Sequence, residues 1–252
     1  MDELTDDAIA GDLRLLQRRR GHRYSLDDVA TAWEAARARP HAARYLDLGC
    51  GIGSVLIMVA YKVRPAHVLG VEAQEASAAL ARENVRRNGI DARIVQADLR
   101  EVALAPEHDL VTGTPPYLPA GRGSLSTDAQ RAYARIELRG GIEDYLAAAA
   151  RALAPGGVVV ACCDARTPAR AIDGAAAAGL APVRRRDVVP RAGHKGPLFS
   201  VWTFAHEGTL EIEPPLVARD EAGGRTEAAH ALRAFFDLPV NRGEAPSPGR
   251  SR

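Results

Sequence analysis

A glycine-rich turn with an acid in front of it is the first part of the sequence that could bind a ligand. In "LDLGCGIGS", Asp47 precedes three glycines at alternate positions, Gly49, Gly51 and Gly53. Glycines between a strand and a helix let a ligand approach the backbone and leave helix N–H groups free to bind it. A dinucleotide site requires G-x-G-x-x-G, but its last position is Ser54 here. The carboxylate of Asp47 would also repel a pyrophosphate, so the turn favours a ligand with a cationic, amino-acid-like end.

Two further acids end the next apolar runs of the sequence. Glu72 closes "HVLGVE", about 20 positions after the glycines, where an acid can accept hydrogen bonds from a ribose diol. Asp98 closes "ARIVQAD" and could accept the exocyclic amine of an adenine. Adenine, a ribose diol and a cationic end together describe S-adenosylmethionine (SAM); the alternative is a tight turn with solvent-facing acids. We predict SAM as the cofactor, bound by Asp47, Gly49, Cys50, Gly51, Gly53, Glu72, Ala73, Asp98, Leu99 and Thr114.

A proline pair follows the apolar run "DLVTG", in the sequence "TPPY". Proline fixes φ at about −65° and has no N–H, so two prolines make a stiff turn from which a carbonyl can project. The nitrogen of an adenine amine or a carboxamide is a poor nucleophile, because its lone pair is delocalised. An enzyme can activate this nitrogen by accepting hydrogen bonds from both of its N–H groups. It must also hold the nitrogen in line with a methyl donor. Taken alone, the stretch is also compatible with an ordinary turn that ends a strand.

The elements that position these residues alternate between strands and helices. Unbroken apolar runs predict strands buried on both faces, as in a parallel sheet, at 43–49, 67–72, 92–98, 108–113 and 157–163. Helical spacing lies between them at 54–63, 75–89, 141–157 and 169–179. Segments 181–190 and 197–205 have no helix between them and predict an antiparallel pair at the sheet edge. The expected fold class is α/β, with right-handed crossovers between parallel strands.

The flanks of this core divide the chain further. Residues 1–40 are expected to form a basic arm and a helix capped by Ser25. Residues 41–206 form the predicted SAM-binding domain, and 207–240 a strand and an amphipathic helix. That helix is predicted to be capped by Thr226, to bury Leu232, Phe235 and Phe236, and to end at Pro239. The tail, 241–252, is rich in Pro, Gly, Ser and Arg, which predicts disorder.

The sequence resembles class I SAM-dependent methyltransferases. With "GTPPY" after the fourth strand, it is similar to the branch that methylates planar nitrogens, marked by Asn, Asp or Ser before Pro-Pro-aromatic. Within that branch it most resembles the tRNA1(Val) adenine-N6 methyltransferase family, over residues 20 to 205. The segments "GHRYSLDDVATAW", "QRAYARIELRGGIEDYL" and "VVPRAGHKGPLFSV" carry this likeness. The resemblance implies a Rossmann-like fold with a seven-stranded, mostly parallel sheet and an antiparallel final strand.

The same resemblance implies catalytic roles for Thr114, Pro115, Pro116 and Tyr117. The Pro115 carbonyl would accept one proton of the acceptor amine, residue 114 would accept the other, and Tyr117 would stack on a flipped base. Thr114 departs from the usual pattern. Its hydroxyl can accept a hydrogen bond, but its methyl group restricts χ1 and narrows the pocket.

Two basic clusters are candidates for binding the phosphates of RNA. One is in the N-terminal arm (Arg14, Arg18, Arg19, Arg20 and Arg23), and the other is near the end of the core (Arg184, Arg185, Arg186, Arg191 and Lys195). Either could instead be a solvated charged face. The long segment 118–140 suggests a lid or substrate wall. The predicted substrate contacts are Arg20, Tyr24, Arg131, Arg135, Arg191 and Lys195.

Bulk properties restrict the remaining possibilities. The net charge is +1, so no global field selects nucleic acid or membrane. Three cysteines without a regular spacing, no signal-like segment and no long apolar run predict a cytoplasmic protein without metal or membrane partner, as a monomer or homodimer. The predicted activity is N6-methylation of an adenine in structured RNA, with tRNA as the expected partner. Methylation of a protein glutamine amide or a small molecule, and a catalytically impaired SAM- or RNA-binding homologue, remain open.

Overall fold

The chain begins with a two-stranded antiparallel hairpin, which contains most of the predicted basic arm. Its strands are β1 (Leu4–Ala10) and β2 (Leu13–Arg18), and the helix α1 (Leu26–Ala38) follows. The backbone N–H of Ser25, the residue before α1, donates to the Asp28 carboxylate at 2.8 Å. This bond satisfies an otherwise free donor at the start of the helix. The computed structural model describes residues 3–118, 130, 134 and 136–238.

The predicted alternation of strands and helices is confirmed. In chain order the remaining elements are β3 (Arg44–Leu48), α2 (Ser54–Val63), β4 (His67–Glu72), α3 (Glu75–Arg87), β5 (Arg93–Gln96), β6 (His108–Gly113), α4 (Ile142–Ala152), β7 (Leu153–Asp164), α5 (Pro168–Ala177), β8 (Ala181–Val189), β9 (Phe199–Ala205), β10 (Glu211–Val217) and α6 (Glu227–Phe235). None of the helices within the described ranges is long and apolar enough to cross a membrane.

One large sheet has the strand order β10-β8-β9-β7-β6-β3-β4-β5. The five strands from β7 to β5 are parallel, and β9 runs antiparallel to both of its neighbours. The described sheet has eight strands rather than the predicted seven, because β10 pairs with β8 and forms the edge beyond the antiparallel pair. A strand was predicted within 207–240, but its place in this sheet was not, because "EIEPPLV" is polar and contains two prolines. The prolines lie at a sheet edge, where the pairing with β8 is irregular between Glu213 and Leu216.

The boundary between α4 and β7 also differs from the prediction. The helix ends at Ala152, before Pro155 and Gly156, and both of those residues lie within β7. The pairing of β7 with β6 is irregular between His108 and Leu110, where the extra residues of β7 leave the ladder. A bulge of this kind accommodates a proline that has no N–H to donate.

Helices cover both faces of the sheet and bury its apolar side chains. One face carries α1 with α2, and its core includes Tyr45 and Phe199. The other carries α4 and α5 over Trp202 and Phe204. The helix α6 packs on α1 and β10; Thr226 caps it by accepting from the Ala229 N–H, and Leu232 and Phe236 are buried. It ends at Phe235, and Pro239 lies outside the described residues.

Candidate active site

The glycine turn between β3 and α2 has the backbone that its sequence requires. Gly49 and Gly51 have φ of +61° and +56°, a region that favours glycine. A Cβ at Gly49 would lie 2.1 Å from the hydroxyl oxygen of Tyr145, so packing also excludes a side chain there. A Cβ at Gly51 would meet no atom within 4 Å. The turn is therefore closed by Tyr145 at Gly49 and open to a ligand at Gly51.

A cavity above this turn brings together most of the predicted cofactor residues. Those that line it are Gly49, Cys50, Gly51, Glu72, Ala73, Asp98, Leu99 and Thr114. Asp47 and Gly53 are not in its lining. The carboxyl ends of β3, β4 and β6 and the turn after β5 supply these residues, because parallel strands end at one edge of the sheet.

Glu72 is held firmly at the wall of this cavity. Its Oε2 accepts the backbone N–H of Gly51 at 2.9 Å, and its Oε1 accepts that of Gln74 at 2.7 Å. Burial is the main influence on this carboxyl group and raises its pKa. The Ala73 N–H also bonds to this carboxyl group. Since two carboxylate oxygens can accept about four hydrogen bonds, one acceptor position remains that a ribose hydroxyl could use.

Asp98 lies at the same edge, paired with an arginine. Arg100 donates to both oxygens of its carboxylate, at 2.9 and 2.7 Å. This hydrogen bonding lowers the pKa of Asp98, so the group is ionised at neutral pH. As with Glu72, an acceptor position remains that an exocyclic amine could occupy.

Asp47 lies beneath the turn rather than in the cavity. Its Oδ1 accepts the Thr112 hydroxyl at 2.6 Å, and the Tyr45 hydroxyl lies 2.7 Å from the same Thr112 oxygen. Burial raises the pKa of Asp47 to about 7, and its buried Oδ2 has no hydrogen-bond partner within the described chain. Asp47 thus lies outside the cavity lining, and its contact with the cationic end of a ligand stays a prediction.

Asp28 and Tyr145 are among the cavity-lining residues that sequence reasoning missed. Asp28 is buried, and burial raises its pKa to about 8. In the sequence it looks like a helix-capping acid, and only the fold of α1 against α2 brings it to the ligand side. Tyr145 lies against Gly49 and Gly113, where no Cβ would fit. The glycines at positions 49 and 113 are the sequence signals for this contact.

The proline pair separates this first cavity from a second one. Thr114 and Pro116 line both cavities, together with His22, Asp28 and Ala134; Pro115 and Tyr117 line only the second. Tyr117 stacks on Phe199 with ring centroids 6.3 Å apart, and its hydroxyl lies 3.0 Å from Cys162 Sγ and 3.3 Å from Asp27 Oδ2. One face of the Tyr117 ring is thus supported by the protein. A methyl donor bound in the first cavity and a methyl acceptor bound in the second would meet at this turn.

The predicted RNA-binding residues have varied surroundings. Tyr24 lines the first cavity and donates its hydroxyl to the Ala8 carbonyl at 3.1 Å. Arg20, Arg191 and Lys195 are exposed, and Arg191 donates to the Glu221 carbonyl. Arg131 and Arg135 lie outside the described residues.

Many arginines of the two basic clusters are bound by carboxylates of the protein itself. Arg14 and Arg23 pair with acids of β1, and Arg19 pairs with Glu3 just before it. Arg184, Arg185 and Arg186 pair with acids of the sheet and of α1. Arg186 is the most enclosed: it bonds to Glu34, to Glu213 at 2.8 Å and to the Pro214 carbonyl, and its guanidinium lies 5.0 Å from the Trp33 ring centre. These pairs reduce the charge available for RNA.

Replacing Arg186 with methionine is expected to lower the free energy of unfolding by about 2 kcal/mol, because it leaves Glu34 buried without its main partner. Arg37, 3.3 Å from Glu34, limits the loss. Urea unfolding of the wild type, R186M and the exposed control K195M would measure it. A loss in R186M no larger than in K195M would contradict a structural role for this arginine.

The fold and the strand-end site define a class I SAM-dependent methyltransferase domain. A profile of the family "Methyltransferase small domain" matches residues 28–172, and the chain belongs to this family. In fold it is similar to a predicted O-methyltransferase from Agrobacterium tumefaciens, with a TM-score of 0.64 and 19% identity over 86% of this chain and 100% of that one. Among the described residues, no three His, Cys, Asp or Glu side chains converge to hold a metal ion.

Three curated relatives differ in their named substrates. A release factor glutamine methyltransferase of Geobacter sulfurreducens is 35% identical over 43% of this chain and 38% of its own length. A 4-amino-L-phenylalanine/4-methylamino-L-phenylalanine methyltransferase of Streptomyces pristinaespiralis is 38% identical over 53% and 48%. A tRNA1(Val) (adenine(37)-N6)-methyltransferase of Bacteroides thetaiotaomicron is 36% identical over 41% and 43%. The matched segments span less than half the length of each relative.

Proposed function

We propose that this protein is a SAM-dependent N-methyltransferase for a nitrogen conjugated with an aromatic ring or a carbonyl. The observation that carries the proposal is the position of Thr114-Pro115-Pro116-Tyr117 between the two cavities. SAM would supply an electrophilic methyl group at that boundary. The open backbone at Gly51 and the acceptor position left on Glu72 fit such a ligand.

The protein's own groups would act by orienting the acceptor. The Pro115 carbonyl and the Thr114 hydroxyl would accept the two N–H bonds of the acceptor nitrogen, which favours its pyramidal form. Tyr117, backed by Phe199, would support the flat acceptor group. No base is needed before the attack, since the nitrogen can lose its proton afterwards.

The first candidate acceptor is the N6 amine of an adenine in structured RNA. The resemblance of residues 20 to 205 and the Bacteroides relative support it. The second candidate is an amine or amide outside RNA, in a protein or a small molecule. The internal pairing of the basic clusters favours this second candidate, and so do the Geobacter and Streptomyces relatives.

Isotopically labelled SAM would distinguish the acceptors. The protein is incubated separately with total tRNA, ribosomal RNA, a protein extract and 4-aminophenylalanine, and the labelled product is identified by mass spectrometry. Label in N6-methyladenosine is the expected result for the first candidate. Label found only in glutamine or in the aryl amine would favour the second candidate over the first. Binding of SAM without methyl transfer to any of these acceptors would contradict the proposed activity.

A further inference from the structure

Asp28 is a buried carboxyl group at the junction of the two cavities. The residue is 6% exposed; its Oδ2 accepts the Ser25 N–H at 2.8 Å, and its Oδ1 accepts the Ser54 hydroxyl at 3.0 Å. Ser54 is the first residue of α2, directly after the glycine turn. The two bonds hold a carboxyl group on a residue that lines the first cavity together with Gly51, and both cavities together with Thr114.

The groups around Asp28 supply hydrogen bonds and negative charge. After burial, the neighbouring carboxylate of Asp27 acts most strongly to raise its pKa, and Asp47 adds to this effect. The other titratable groups that line the two cavities are His22, Arg23, Tyr24, Cys50, Glu72, Asp98, Tyr117, Arg139, Tyr145, Asp164 and Arg166.

The arginines of that set act on other carboxylates. Arg23 pairs with Asp7 at 3.0 Å and Arg166 with Asp164 at 2.6 Å, while Arg139 lowers the pKa of Glu72. A buried carboxylate needs a cationic partner to remain ionised at low cost. At the site of a sulfonium cofactor, the ligand itself can be that partner.

We propose that Asp28 is the counter-charge for the cationic cofactor, ionised in the complex with SAM and protonated in the complex with S-adenosylhomocysteine (SAH). On transfer, the lone pair of the acceptor nitrogen forms the new N–C bond, the C–S bond breaks with its electron pair left on sulfur, and the nitrogen releases one proton. The sulfonium charge is lost in this step, and the Asp28 carboxylate takes up one proton as its partner disappears. The charge inside the site therefore stays balanced before and after transfer.

This inference rests on SAM as the cofactor and not on the identity of the acceptor, so its test contains no acceptor. Binding of SAM and of SAH is measured by calorimetry at about pH 6.5, in phosphate and in imidazole, whose ionisation enthalpies differ. The expected result is release of about one proton per SAM and about none per SAH. Sinefungin, in which an amine replaces the sulfonium, should behave like SAM. Above about pH 9.5 the release should vanish, because Asp28 is then already ionised.

The substitution Asp28→Asn identifies the group that releases the proton. An amide can still accept the Ser25 N–H and donate to the Ser54 hydroxyl, so the local structure should be kept. We expect D28N to lose the proton release and, at about pH 9, to bind SAM about 30-fold more weakly, with SAH within about twofold of the wild type. The second variant is D27N, which removes the neighbouring carboxylate that lines only the second cavity. Because Asp27 raises the pKa of Asp28, D27N should still release a proton on SAM binding, but over a lower pH range than the wild type.

Equal proton release with SAM and SAH, or unchanged release in D28N, would each overturn the proposal. Thermal unfolding serves as the check on folding. Burial raises the pKa of Asp28 in the folded protein above its value in the unfolded chain. The free energy of unfolding of the cofactor-free wild type should therefore fall as the pH rises from about 4 to about 8. D28N has no carboxyl group at this position and should lack this loss. If D28N does not fold, the comparison of SAM with SAH in the wild type decides.

Discussion

Tyr117→Ala is expected to lower kcat/KM for methyl transfer by about 100-fold, while SAM binds within about threefold of the wild type. The ring lines the second cavity and not the first, so its loss removes the support for the acceptor and leaves the cofactor wall in place. The acceptor nitrogen would then no longer be held in line with the methyl group. Steady-state kinetics with the acceptor identified from labelled SAM, together with calorimetry of SAM, measure both quantities.

Tyr117→Phe is the matched control for this result. It keeps the ring on Phe199 and removes only the hydroxyl contacts with Cys162 and Asp27. We expect it to retain activity within about tenfold, since the long hydrogen bond to the Asp27 carboxylate, at 3.3 Å, contributes about 1.5 kcal/mol. Full activity in Tyr117→Ala would contradict the supporting role of the ring, and equal losses in both variants would assign the effect to the hydroxyl.

Gly51→Ala should weaken SAM binding by about 100-fold, because the new methyl group would point into the space left for the ligand. The backbone itself also disfavours alanine there, at a cost of about 1 kcal/mol. Gly89, at the C-terminal end of α3, offers a control with the same backbone strain. Its φ is +63° against +56° at Gly51, and a Cβ at either position meets no protein atom.

Gly89→Ala should therefore lose a similar amount of stability and keep its affinity for SAM within about twofold. Calorimetry gives the affinities and urea unfolding gives the stabilities. Similar SAM affinities in the two variants would show that Gly51 does not face the cofactor.

The sheet was predictable because its strands are short, apolar and separated by clear helices. The strand-end positions of Glu72, Asp98 and Thr114 followed from that pattern, since the ends of parallel strands meet at one edge. By contrast, β10 was missed as a sheet strand: it is polar, contains two prolines, and is held by pairing with β8 rather than by its own pattern.

The parts of the site that could not be predicted depend on contacts between distant segments. Asp28 faces the cavities only because α1 packs on α2, and Tyr145 closes the turn only because α4 lies over Gly49 and Gly113. The partners of the basic clusters were also not predictable from the sequence. Charge in a sequence does not reveal its partners, and the acids that bind Arg186 lie far from it in the chain, at Glu34 and Glu213.

The Arg186 contacts join the far edge of the sheet to the wall of both cavities. Arg186 holds β10 through Glu213 and α1 through Glu34, and Asp28 is on the same helix as Glu34, about 9 Å away along its axis. The C-terminal strand thus helps to fix the helix that carries a cavity carboxylate. The conformational entropy of the residues in this wall is lost when the protein folds and not when a ligand binds. The ligand therefore binds to a preorganised surface.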